Sequence, residues 1–123
     1  MNSEGPNLDP NMERLVAVLN DCPGICTLSS CGGHANPEPG HAPEGEFNVC
    51  FTVEPSAGGW RSLEIILWAC GADAKLVAWW TAEESLPGAI AFQLEGRGAA
   101  TPDRVAAAIE EVLPRCGEGA PDR

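Results

Sequence analysis

The chain has 123 residues, enough for one domain with its own core. Eighteen acidic against seven basic side chains give a formal charge of −11, and the cations Arg14, Arg61, Lys75, Arg97, Arg104, Arg115 and Arg123 are scattered singly. That excludes bulk nucleic-acid binding and attachment to an anionic membrane, which need clustered Lys and Arg. A small ligand held by one cation and a few backbone N–H groups remains open.

The first ten residues read as a flexible leader. Asn11 then introduces a helix with Met12, Leu15, Val16 and Leu19 on one face, ended by Asp21, Pro23 and Gly24. Ile25–Leu28 reads as a short strand delivering the chain into Ser29-Ser30-Cys31-Gly32-Gly33-His34. Residues 35–45, rich in proline and glycine, form a surface loop. Phe47–Glu54 alternates with period two, placing Phe47, Val49, Phe51 and Val53 on one face.

After Gly58-Gly59 a second helix is predicted, with Trp60, Leu63, Leu67 and Cys70 as its apolar stripe, Ile66 beside it and Trp68 in the core. Lys75–Thr81 and Ala89–Glu95 read as two further strands. Trp79 and Trp80, adjacent on the first of them, face opposite sides of the sheet. Thr101-Pro102-Asp103 is a helix start: a capping hydroxyl, a proline at the first helical position and an acid in the first turn. That helix buries Val105, Ile109, Val112 and Leu113 and stops at Pro114. The order α-β-β-α-β-β-α predicts an α+β fold with a mixed or mainly antiparallel sheet of about four strands and helices chiefly on one face. The single domain spans 11–116, with a flexible tail over 117–123.

The segment that demands a chemical explanation is Thr27–His34, TLSSCGGH. Two hydroxyls, a thiol, two glycines and an imidazole follow a strand with no large apolar residue among the last six. Adjacent glycines let successive N–H groups converge into an anion-binding nest, with Ser29, Ser30 and His34 as added donors. The bland alternative is a tight turn that needs Gly-Gly only for its geometry.

Residues 12–60 also carry a resemblance. The run LVAVLNDCPGICTLSSCGGH resembles the opening of the tRNA wybutosine-synthesising methyltransferase family, at Asn20, Thr27, Ser29, Ser30, Cys31 and Gly33, with Trp60 matching a tryptophan after the second strand. Gly32 stands where the family has Ser, and His34 where it has Arg. The resemblance implies an adenosine-type ligand, S-adenosylmethionine as cofactor, near Ser29–His34. The lost Arg and the net charge argue against tRNA as substrate.

The expectation is therefore a small-molecule binder with a nucleotide-like or S-adenosylmethionine-like pocket, acting by sequestering its ligand. Its candidate contacts are Thr27, Ser29, Ser30, Cys31, Gly32, Gly33, His34, Trp60 and Arg61. An S-adenosylmethionine-dependent methyltransferase is the alternative. A zinc-stabilised domain using Cys26, Cys31, His34 and His41 is a third reading, but the spacing of Cys26 and Cys31 is too wide for a knuckle, and no metal is expected. A fourth makes Cys31 a nucleophile with His34 or His41 as base, oriented by Asn36 or Asn48. No apolar run approaches the ~20 residues of a membrane span, and MNSEGPNLDPNMER is not a secretory signal. A cytoplasmic location with reduced thiols follows as an expectation.

Overall fold

The computed structural model describes residues 8–39, 41–71, 73–79 and 90–118. A 3-10 turn over Pro10–Met12 leads into α1 (Glu13–Asp21), β1 (Ile25–Cys31) and β2 (Glu46–Val53). Then come α2 (Ala57–Cys70), β3 (Ala74–Trp79), β4 (Ile90–Arg97) and α3 (Pro102–Glu118). The fold is α+β, and its four strands form one antiparallel sheet in the order β1-β2-β4-β3. Because α2 carries the chain over to β3, β4 returns between β2 and β3 and joins the two hairpins.

The period-two pattern of β2 explains the layering. Phe47, Val49, Phe51 and Val53 are buried, and they share one core with Leu94 of β4 and with Leu15, Leu19, Ile66, Val105 and Ile109 of the three helices. The opposite face carries a polar cluster beside the half-exposed Val77. On it the Cys50 thiol donates to Gln93 Oε1, Gln93 Nε2 donates to Glu95, and Lys75 Nζ lies 3.4 Å from Glu95 Oε1.

The first and last helices form as their sequences dictate. α1 buries Leu15, Val16 and Leu19 at helical spacing, and Met12 just before it is fully buried. α3 opens on Thr101, whose Oγ1 accepts from the Arg104 N–H at 3.2 Å. Arg14 and Glu110 join the two helices at the surface, 2.6 Å apart.

Four expectations need correction. In α2 the buried positions are Gly59, Ser62, Ile65, Ile66 and Cys70, whereas Trp60, Leu67 and Trp68 are 43%, 51% and 59% exposed. The stripe is displaced by one residue, about 100° around the axis. The reason is close backbone approach: Gly59 lies against the backbone of Glu54, and Ser62 Oγ donates to the Pro23 carbonyl at 2.6 Å. Small side chains fix which face lies down, and the large ones are left outside.

α3 does not stop at Pro114 but runs to Glu118. A proline there removes its N–H bond to the Glu110 carbonyl and crowds that carbonyl with its ring, yet the helix continues past it for four residues. Leu8 and Asp9, read as part of a flexible leader, are instead held in place, Leu8 packing on the core and Asp9 hydrogen-bonded to Gly32, while residues 1–7 lie outside the described residues. Finally, β1 does not end at Leu28; it continues to Cys31. The expected strand over Lys75–Thr81 is β3 as far as Trp79, and Trp80 and Thr81 lie outside the described residues.

Candidate functional site

The TLSSCGGH segment begins as sheet and ends as a turn. Thr27 is fully buried and belongs to the scaffold: its N–H donates to Asn20 Oδ1 at 3.0 Å, and Asn20 Nδ2 donates to Thr27 Oγ1 at 2.9 Å and to the Val16 carbonyl at 3.1 Å. This pair locks the end of α1 onto β1.

A bulge then decides where the thiol goes. Thr27 pairs with Phe51 and Ser29 with Cys50, so Leu28 is the extra residue. One inserted residue reverses the in–out alternation of everything after it. Without the bulge Cys31 would continue the inward series Ile25, Thr27. With it, Cys31 pairs opposite Asn48 and leaves the helix-side core. Cys31 is nonetheless only 4% exposed, and from the loop that follows the Ala42 N–H donates to Cys31 Sγ at 3.3 Å. Ser29 is exposed on the sheet and Ser30 half-buried.

Past Cys31 the chain meets two other segments. The Gly32 N–H donates to Asp9 Oδ2 at 2.8 Å, and Asn11 Nδ2 donates to the Gly32 carbonyl at 3.0 Å. Gly33 has φ +102° and lies against the carbonyl oxygens of Glu46 and Pro43, which leaves no room for a Cβ. The His34 N–H donates to the Ala42 carbonyl at 3.0 Å, and the His34 and His41 rings stack with centroids 4.1 Å apart. His34 Nε2 stands 3.7 Å from Asp9 Oδ2. One ligand-type atom each from Asp9, Cys31 and His34 lies within 4.8 Å of the other two.

These contacts qualify the nest expected from Gly-Gly. The N–H of Gly32 is already taken by the chain's own Asp9 carboxylate, so an external anion would have to displace it. Asp9 is the residue that reading the sequence missed. It sits in what looked like a leader, and no local pattern connects it to a turn 23 residues away.

A concavity of about 260 Å³ opens at the same end of the sheet, lined by Glu46, Asp73, Ala74, Lys75, Glu95, Gly96 and Arg97. Glu46 is shared between the two features, since Gly33 packs on its carbonyl. Arg97, which the sequence offers only as one of the singly scattered cations, ends β4 directly opposite Glu46.

Trp60 and Arg61 are not brought here. They lie in the first turn of α2, whose Gly59 packs beside Gly24 at the other end of β1, about 23 Å away along a seven-residue strand. Cys26 pairs with Thr52 near that far end, so Cys26, Cys31, His34 and His41 do not converge as a set. Asn48 lies opposite Cys31 in the sheet register, while Asn36 is exposed in the loop.

No family model matches the chain, and no curated protein or solved structure matches it. The wybutosine-family resemblance thus rests on the residues quoted above alone. No described helix is long and apolar enough to cross a membrane.

Proposed function

We propose that this domain binds a small zwitterionic or cationic molecule of the S-adenosylmethionine type, and does so at the sheet end where the Cys31–His34 turn meets the concavity beside Glu46. The observation that carries the reading is the mixture of charge in that concavity. Lys75 and Arg97 can receive a carboxylate, while Glu46, Asp73 and Glu95 favour an ammonium or sulfonium centre.

Acids outnumber bases both in the concavity and over the whole chain. That disfavours a nucleoside polyphosphate, so of the two ligand classes expected from the sequence the charge balance favours the S-adenosylmethionine type. A volume of about 260 Å³ suits the charged head of such a ligand better than the whole of it. Its ring would then lie outside, where the stacked His34 and His41 offer a flat surface. Trp60 and Arg61 drop out of the contact set for want of reach.

Thermal-shift screening with S-adenosylmethionine, S-adenosylhomocysteine, ATP and cyclic AMP tests the reading, because a binder gains stability with ligand concentration over Kd. The first two should raise Tm and the phosphates should not. Recovery of unchanged S-adenosylmethionine after incubation and denaturation marks sequestration. Conversion to S-adenosylhomocysteine in the presence of a methyl acceptor marks a methyltransferase.

A further inference from the structure

Asp9, Cys31 and His34 converge at the turn after β1, a set that the spacing of cysteines and histidines did not single out together. We propose that Asp9, Cys31 and His34 bind a single divalent cation of the zinc class. The proposal does not rest on the small-molecule reading, since the cation needs only these three side chains, although His34 is shared by both.

The donor set is the first argument. A carboxylate oxygen, a thiolate sulfur and an imidazole nitrogen are the three ligand types zinc takes, and their atoms lie within 4.8 Å of one another from two separate chain segments. Ligands bonded at 2.0–2.3 Å in a tetrahedron stand roughly 3.3–3.8 Å apart. The 3.7 Å between His34 Nε2 and Asp9 Oδ2 is already in that range, and no pair in the set is more than 4.8 Å apart.

Support around the ligands is the second argument. The Gly32 N–H holds the Asp9 carboxylate, the Ala42 N–H points at the Cys31 sulfur, and His41 stacks on the His34 ring. These are the outer contacts that orient ligands in metal centres, and a backbone N–H on sulfur stabilises a thiolate. Charge is the third. One carboxylate and one thiolate neutralise a divalent ion, with the thiol proton passing to solvent on binding.

Access is compatible with exchange. Cys31 is buried, yet the side chains of His34 and Asp9 are 38% and 31% exposed. Three protein ligands leave the fourth position to water or to a ligand atom, the arrangement of reactive rather than purely structural zinc. His41 is a positioning residue in this scheme. Its ring lies face-on to His34, and its Nδ1 accepts from the Glu38 N–H at 3.2 Å.

Cobalt(II) titration of the full chain, purified without a histidine tag, reads the site through the near-ultraviolet thiolate-to-cobalt charge-transfer band. Zinc competition then gives the zinc affinity. The expected result is one equivalent of cobalt with that band, displaced by zinc. Cys31→Ser should abolish the band, and His34→Ala and Asp9→Asn should each weaken binding by at least about tenfold, the size of losing even an outer contact to a ligand. Cys26→Ser and Cys50→Ser should change nothing.

Asp9→Asn keeps an oxygen for the Gly32 N–H, so it decides the matter even if Cys31→Ser fails to fold. Absence of saturable cobalt binding, a band that persists in Cys31→Ser, or unchanged affinity in Asp9→Asn would each overturn the proposal.

Discussion

Asp9 Oδ2 accepts the Gly32 N–H at 2.8 Å, so the segment before the first helix is fastened to the turn after the first strand. This bond occupies the N–H that the glycine pair would otherwise offer to a ligand. Replacing Asp9 by Ala leaves a partly buried donor without its charged acceptor and should cost about 1–3 kcal/mol. Hydrogen exchange checks the cause as well as the size: the Gly32 amide should lose protection in Asp9→Ala and keep most of it in Asp9→Asn. Equal protection in all three proteins would show that the bond does not form.

The Asn20–Thr27 pair should behave as scaffold. Asn20→Ala removes the acceptor of the fully buried Thr27 N–H and the donor to Thr27 Oγ1 together. A loss of about 2 kcal/mol is expected from the denaturant midpoint. Ligand affinity per folded molecule should stay as in the wild type, because neither side chain reaches the turn.

How far the sequence reveals this molecule depends on whether each signal is local. The stripe of α1, the alternation of β2 and the Thr101 cap are set by neighbours a few residues apart, and the structure has all three. The phase of α2 is set instead by Gly59 and Ser62 meeting Glu54 and Pro23, contacts invisible to a count of apolar residues. Likewise Cys31 and His34 were legible as chemistry. Their surroundings were not, because the bulge at Leu28 and the return of Asp9 depend on strand pairing and on a contact across 23 residues.

Gly59 offers a direct check on α2. A Cβ there would run into the Glu54 carbonyl oxygen, with no side chain able to yield, whereas a Cβ on Gly58 would meet only Pro23 Cβ at 3.3 Å. Gly59→Ala should therefore destabilise by several kcal/mol despite alanine's better helix propensity. Gly58→Ala should be close to neutral. Chemical denaturation of the two variants side by side reads the contrast, and equal effects would mean that α2 sits otherwise on the sheet.

Burial sorts the cysteines by reactivity. Desolvation, with the Asp21 charge as a lesser cause, pushes the Cys22 thiol from 9.0 up to about 12, and desolvation pushes Cys70 up to about 11. Both should resist iodoacetamide at pH 8, while Cys50 on the open face of the sheet reacts faster. The same shifts set a pH dependence. Folding keeps these groups neutral, so their stabilising effect is complete below about pH 9, where the unfolded thiols are also protonated. It is lost as pH rises from 9 through the folded values of about 11 and 12. Cys22→Ala and Cys70→Ala should each flatten the alkaline limb of a stability profile.

The binding claim rests on the charged concavity at the sheet end, and isothermal titration with S-adenosylmethionine tests it most directly. Arg97→Ala and His34→Ala are the paired variants, since both side chains are at least partly exposed and neither belongs to the core. The account predicts one saturable site in the wild type, with affinity lowered about tenfold or more by Arg97→Ala through loss of a charge-assisted contact, and lowered less by His34→Ala. No saturable heat with S-adenosylmethionine or S-adenosylhomocysteine, or an affinity that neither substitution changes, would contradict it.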